Sequence, residues 1–125
     1  MKRFLIILLL AGCAREPARE TPSVPPPPPE TPTARESVAI AGLMESARSD
    51  AASGRLVQAA ATLERALRIE PRNPRLWHEL ARVRLRQGDT AQAANLAARS
   101  NSFAGSDSAL RSANQNIIEQ ARTAR

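Results

Sequence analysis

From Ser37 to the end of the chain, apolar residues recur with the period of an α-helix, and glycines and prolines interrupt them at regular intervals. Gly54 and Gly88 end two such stretches, where a left-handed helix cap favours glycine. Asn73-Pro74 is typical of an N-cap followed by the first residue of a helix. The pattern predicts an all-α domain with helices at about 38–52, 56–69, 74–87, 90–102 and 107–123.

The predicted helices repeat at an interval of 34 residues. The positions that coincide at this offset are Leu43 with Trp77, Ala47 with Ala81, Gly54 with Gly88, and Gln58-Ala59-Ala60 with Gln92-Ala93-Ala94. Self-similarity at this period, with a closing alanine and proline at Ala66 and Pro71, resembles the tetratricopeptide repeat (TPR) family. The resemblance covers about residues 40–103.

The resemblance implies a short α-solenoid of two helix-turn-helix units, at about 40–73 and 74–106, followed by a C-terminal capping helix. The residues expected to hold the repeat together are Gly54, Ala59, Ala66, Pro71, Trp77, Leu80, Gly88 and Ala93. Trp77 is expected to be substantially buried.

The last predicted helix, at about 107–123, can begin at Ser106-Asp107 and carries one apolar stripe. Its members are Leu110, Ala113, Ile117, Ile118 and Ala121, and the residues off the stripe are Arg111, Asn114, Gln115 and Arg122. A solenoid needs its last unit sealed by a helix with one polar face. We favour this capping role over a dimerisation helix, and homo-oligomerisation stays an alternative.

The first thirteen residues combine a positive start, an apolar run and a small-residue segment. Met1-Lys2-Arg3 precedes the uninterrupted run from Phe4 to Leu10. This order is that of a secretory signal peptide, and the run is too short for a membrane-spanning helix, which needs about 20 apolar residues. The segment Leu10-Ala11-Gly12-Cys13 resembles the lipobox of bacterial lipoproteins.

The lipobox resemblance implies that residues 1–12 are removed and that Cys13 carries acyl chains such as palmitate. Ala14 follows instead of the Asp that resembles an inner-membrane retention signal, which favours the outer membrane, facing the periplasm. A signal peptide that happens to contain a cysteine is the alternative.

Residues 13–36 are predicted to form a disordered tether between Cys13 and the TPR domain, which is predicted to span 37–125. Eight of the ten prolines lie between Pro17 and Pro32, and Pro25 to Pro29 are consecutive. This stretch has too little apolar content to fold. Fully extended, it would reach roughly 70 Å. A ligand for a proline-recognition groove is the alternative.

Composition removes several function classes. The only aromatic residues are Phe4, Trp77 and Phe103, too few for a stacking platform, so we expect no nucleic-acid partner. One cysteine and one histidine cannot build a Cys/His zinc site, and no glycine-rich phosphate loop is present, so we expect no metal and no cofactor. No nucleophile can be paired with a base by sequence, so we expect no catalytic residues and no enzyme.

The remaining signal is basic. The formal net charge is +6, and Lys2 is the only lysine. By resemblance to TPRs, the first helix of each unit lines a concave groove, and the candidate partner-binding residues there are Arg48, Arg75, His78, Arg82 and Arg86. Guanidinium groups suit carboxylates, so the expected partner is a protein with an acidic surface. A solvated arginine face that pairs with Glu45 and Glu79 is the alternative.

These observations predict a membrane-anchored TPR module for protein–protein interaction, acting as a scaffold or assembly factor in the bacterial envelope. The principal alternative is an accessory regulator that docks on a peptidoglycan enzyme. A less favoured alternative is an enzyme with an unrecognised site.

Overall fold

The computed structural model describes residues 32–124, and side chains from residue 37 onward. It contains five helices: α1 (Pro32–Ala52), α2 (Leu56–Ile69), α3 (Pro74–Arg86), α4 (Thr90–Phe103) and α5 (Ser108–Thr123). Two antiparallel helical hairpins, α1–α2 and α3–α4, stack on each other, and α5 packs on α3 and α4. The predicted all-α class is therefore confirmed. The predicted signal peptide, Cys13 and most of the predicted tether lie outside the described residues.

The helix bounds agree with the sequence pattern except at the start of α1. This helix begins at Pro32, six residues before the predicted start near residue 38. Proline is tolerated in the first turn because its missing N–H has no intrahelical partner there. The first turns of α1 thus fall within the stretch assigned to the tether.

Short polar side chains and glycines fix where the helices begin and end. Asn73 Oδ1 accepts from the Arg75 amide at 3.0 Å, and Asp107 Oδ1 accepts from the Leu110 amide at 3.0 Å. Gly54 and Gly88 have φ of 77° and 84°, the left-handed region that glycine enters without steric cost. Each glycine stands just after the first helix of a hairpin and lets the chain turn back.

The core consists of two clusters with different packing. The larger one joins α1, α2 and α3 and includes Ile40, Leu63, Leu76, Leu80 and Val83. Fully burying a leucine in such a cluster contributes about 1.5–3 kcal/mol. The smaller cluster, between α3, α4 and α5, is built mainly on alanine. Small side chains allow these helices to approach closely, and the repeat positions Ala59, Ala66 and Ala93 are all fully buried.

Trp77 is partly buried and packs against the larger cluster, but it does not reach the full burial of its neighbour Leu76. The inward stripe of α3 runs through its neighbour Leu76, which is completely buried, and continues through Leu80. Trp77 lies beside this stripe, at the edge of the core. Its indole N–H donates to the Pro71 carbonyl at 2.8 Å, and the Arg99 guanidinium covers the ring at 4.6 Å from its centroid.

The buried stripe of α5 also differs from the predicted one. Ile117 and Ala121 are buried as expected, but Asn114 is completely buried, whereas Ala113 is only partly so. Asn114 precedes Ile117 by three residues and Ala121 by seven, which places the three on one helical face. An amide can occupy this position because all its polar atoms have partners inside the domain.

Within residues 32–124, no helix combines the length and apolar character that crossing a membrane requires.

Candidate protein-binding groove

The side of the domain formed by α1, α3 and α5 contains three adjoining cavities. Their volumes are about 270, 380 and 230 Å³. The first and second share Arg82 and Arg86, the first and third share Arg48, and the second and third share His78. Because neighbouring cavities share wall residues, we treat them as one depression, called the groove below.

The structure brings all five sequence-predicted binding residues to this groove. Arg75, His78, Arg82 and Arg86 come from α3, where spacings of three and four residues keep them on neighbouring faces. Arg48 comes from α1 and faces them across the unit boundary. The wall opposite α3 in the 380 Å³ cavity is supplied by α5, through Ala113, Asn116, Ile117 and Gln120.

Glu79 links two of the arginines. Arg48 donates to Glu79 Oε1 from Nε at 2.9 Å and from Nη2 at 2.8 Å, and Arg82 donates from Nη1 to Oε2 at 3.2 Å. Glu79 is 8% exposed, whereas the side chains of Arg48 and Arg82 are 48% and 58% exposed. The carboxylate is therefore held inside, and both guanidinium groups keep part of their surface for solvent or a partner.

The other arginines of the groove also have identifiable contacts. Arg86 donates from Nη1 to the Ala51 carbonyl at 2.7 Å, at the end of α1. A cation there satisfies a terminal carbonyl and opposes the negative end of the helix dipole. Arg75 Nη2 lies 3.8 Å from Asp107 Oδ2, a long and exposed contact of small energetic weight.

His78 belongs to a polar chain that runs into the core. The Ser100 hydroxyl donates to the Pro74 carbonyl at 2.7 Å, so its oxygen is left to accept from Asn114 Nδ2 at 2.8 Å. This fixes the orientation of the amide, because Asn114 Nδ2 also donates to Asn101 Oδ1 at 2.8 Å. Asn114 Oδ1 therefore faces His78 Nδ1 at 2.7 Å, and that ring nitrogen carries the hydrogen.

The arrangement suits binding. His78 is oriented by an amide, and its hydrogen-bonded neighbours do not include a hydroxyl or carboxylate that it could activate. Among the residues described by the structure, no group of three histidine, cysteine or acidic side chains could hold a metal ion. The groove instead offers guanidinium donors at its centre and apolar and amide side chains along α5.

The sequence indicates Glu79 only as one partner of a solvated arginine face, and its burial was not predicted. A signal was nevertheless present. Glu79 and Arg82 are three residues apart on one helix, a spacing that favours ion pairs. Glu45 and Arg48 repeat the same spacing 34 residues earlier. Stacking of one unit on the next then brings Arg48 of the first beside Glu79 of the second.

Comparisons with known proteins agree with this geometry. Residues 50–117, more than half of the chain, match the tetratricopeptide repeat family. A solved structure, titled as the globular C-terminal domain of P. aeruginosa LpoP, is similar with a TM-score of 0.68 and 43% sequence identity. The similarity covers 69% of this chain and 81% of that one. No curated protein gives a significant match.

Proposed function

The chain belongs to the tetratricopeptide repeat family, and we propose that it is a lipid-anchored interaction module of the bacterial envelope whose groove binds a protein partner. The family and the similarity to the LpoP domain confirm the resemblance to bacterial TPR lipoproteins and support a protein-interaction module. The observation that carries the assignment to the groove is the continuity of its three cavities through Arg48, His78, Arg82 and Arg86.

The partner surface that fits this groove carries carboxylates beside apolar side chains. Arg82 and Arg86 line both the 270 and the 380 Å³ cavities, and both residues are exposed to solvent. A partner carboxylate can pair with them while its neighbouring side chains contact Leu85 and Ile117. Charge complementarity of this kind speeds association more than it increases affinity.

Site-specific photo-crosslinking in intact cells tests the groove as the contact surface. A photoreactive side chain at Gln120, which lines the 380 Å³ cavity, should give a discrete adduct with one envelope protein. The matched control is Gln115, which is exposed on the same helix and lines none of the three cavities. The double variant Arg82→Gln/Arg86→Gln should weaken the adduct at Gln120 without a change in helicity.

Equal adducts at Gln115 and Gln120, or an adduct that the double variant leaves unchanged, would contradict the assignment. Glutamine is preferred to glutamate at these positions because an added carboxylate at residue 82 would face Glu79. Once the partner is known, Arg82→Gln/Arg86→Gln should slow its association at low salt.

The anchor is part of the same proposal. Cleavage before Cys13 and its acylation would fix the chain to the outer membrane, on the periplasmic side, with the TPR domain at the far end of the tether. The proposal assigns no catalytic step to the chain, because the groove residues are arranged as binding groups. Its role would be that of a scaffold or assembly factor.

A narrower candidate is a regulator that docks on a peptidoglycan enzyme. The specific observation in its favour is the 43% identity to the globular C-terminal domain of LpoP, which is high enough for the two domains to share a class of partner. Replacing that domain of LpoP in P. aeruginosa by residues 32–125 of this chain tests the idea. The expected result is that the chimera restores what P. aeruginosa loses without that domain and that Arg82→Gln/Arg86→Gln abolishes the rescue. A failure of the folded chimera to restore it would exclude this candidate.

A further inference from the structure

The positive charges of the domain are divided between two kinds of surroundings. Six arginines lie within ion-pair distance of a carboxylate: Arg48, Arg55, Arg75, Arg82, Arg84 and Arg122. Six others have no carboxylate partner within the described part of the chain: Arg86 in the groove, Arg111 on α5, and four exposed residues on α2, α4 and the loop after α2, which are Arg65, Arg68, Arg72 and Arg99. We call these four the outer arginines.

The outer arginines lie away from the groove. Apart from Leu63, the three cavities are lined by residues of α1, α3, α5 and the turn before α5, and no outer arginine lines any of them. Two of the four are instead placed by aromatic rings. Arg99 lies over Trp77 at 4.6 Å from the ring centroid, and Arg72 lies over Phe103 at 5.9 Å.

Stacking leaves the donors of these guanidinium groups available. A guanidinium that lies over an aromatic ring contacts the ring electrostatically, and its N–H groups can still bind an oxyanion in a fork. Within residues 37–124, neither Arg72 nor Arg99 donates a side-chain hydrogen bond. Folding thus already holds both side chains in place, and their N–H groups can still donate hydrogen bonds to a ligand.

Apolar surface accompanies this charge. Trp77 and Phe103 are partly exposed, and Ile69, between the outer arginines 68 and 72, is 40% exposed. Aromatic side chains that are apolar on one side and wet on the other are enriched where proteins meet the interface of a bilayer. A cluster of exposed arginines beside such side chains is typical of surfaces that bind anionic lipid head groups.

We infer that the outer arginines, with Trp77 and Phe103, form a surface that binds the phosphate groups of an anionic phospholipid bilayer. This goes beyond the proposed function, because it concerns residues that line none of the groove cavities and a different class of partner. Each arginine near an anionic membrane surface increases binding by about five-fold, and the effect decays within a Debye length. The domain would therefore rest on the membrane at low salt and leave it at high salt.

Trp77 provides the readout, because it is the only tryptophan and the chain contains no tyrosine. The test uses residues 13–125 with Cys13→Ala, which include all five described helices but no acyl chain. Vesicles of phosphatidylglycerol and phosphatidylcholine in equal parts should bind this protein and change the Trp77 emission, and vesicles of phosphatidylcholine alone should not.

Arg72→Glu/Arg99→Glu should weaken binding to the anionic vesicles by roughly 25-fold or more, because two favourable contributions are lost and two repulsions are added. The matched control is Arg111→Glu/Arg122→Glu, which changes the net charge equally at two exposed positions of α5. Arg72→Gln/Arg99→Gln should give an intermediate loss. Circular dichroism establishes that each variant is folded.

Three results would overturn the inference. Binding that does not depend on phosphatidylglycerol excludes an anionic lipid surface, and equal losses in the two charge-reversal variants show that only net charge matters. Binding of polyglutamate, lost with Arg72→Glu/Arg99→Glu, in the absence of vesicle binding would assign the surface to an acidic protein. None of these results depends on the crosslink at Gln120, so the two proposals can fail separately.

Discussion

The buried amide of Asn114 is the most informative position to perturb, because it joins three helices. It is completely buried on α5 and contacts His78 of α3 and both Ser100 and Asn101 of α4. Asn114→Ala removes three hydrogen bonds, each with a net contribution of about 1 kcal/mol. The Ser100 hydroxyl keeps its bond to the Pro74 carbonyl, and His78 and Asn101 can rehydrate because they are partly exposed.

We therefore expect Asn114→Ala to destabilise the domain by about 3 kcal/mol, including a small contribution from the cavity. For a domain of this size, that corresponds to a melting temperature lower by roughly 12–24 °C. Urea unfolding followed by circular dichroism measures the loss. Asn116→Ala, the same substitution at an exposed position two residues further along α5, is the matched control and should change stability by less than about 0.5 kcal/mol.

Hydrogen exchange locates the effect. If Asn114 holds α5 against the second hairpin, the backbone amides of α5 in Asn114→Ala should lose protection from exchange before those of α2. A midpoint for Asn114→Ala equal to that of Asn116→Ala would refute the reasoning, since it would mean that the buried amide is no better satisfied inside the domain than in water.

Three further predictions concern the anchor, a turn and the edge of the core. Cys13→Ala should abolish acylation and membrane retention, and label from a palmitate analogue that persists in this variant would contradict the lipobox interpretation. Gly88→Ala should destabilise the domain by about 1–2 kcal/mol because Gly88 has a positive φ, even though a methyl group there would meet nothing within 4 Å. Gly42→Ala inside α1 should instead stabilise it by about 0.5–1 kcal/mol. Leu76→Ala should lower the free energy of unfolding by about 3–5 kcal/mol. Trp77→Ala removes a larger side chain but should lower it by only about 2 kcal/mol, because Trp77 is partly buried. A reversed order in chemical denaturation would contradict this reasoning.

The helices were predictable because their boundaries depend on local chemistry. Asn73, Asp107 and the two turn glycines act within a few residues of themselves, and the 34-residue period set the stacking of the hairpins. Helix propensity does not determine where α1 begins, because Pro32 and the residues after it are compatible with both a tether and a first helical turn. The pattern also does not tell how deeply Trp77 is buried, because residue size alone does not decide which of two adjacent positions faces inward.

The five candidate groove residues could be brought together from the sequence, because the repeat assigns α1 and α3 to the same side. The polar partners of these residues could not. Asn114 was assigned to the polar face of α5 on grounds of its side chain, but burial of an amide depends on partners that come from α3 and α4. Such partners are distant in sequence, 36 residues in the case of His78, and a one-dimensional pattern does not contain them.

Because a sequence pattern does not show which charges are paired, the net charge also needs a different interpretation. Counting arginines suggested a strong positive field in the groove, but Glu79 shares two of them and Asp107 lies near a third. A neighbouring carboxylate cancels part of the field of a guanidinium group, whereas the outer arginines have no carboxylate to offset them within the described residues. A partner in the groove should therefore lose only part of its affinity at high salt, mainly through slower association, because its apolar contacts and directed hydrogen bonds remain. Binding of the outer surface to anionic vesicles should decline steeply over the same range, so the two surfaces can be told apart by their salt dependence before any variant is made.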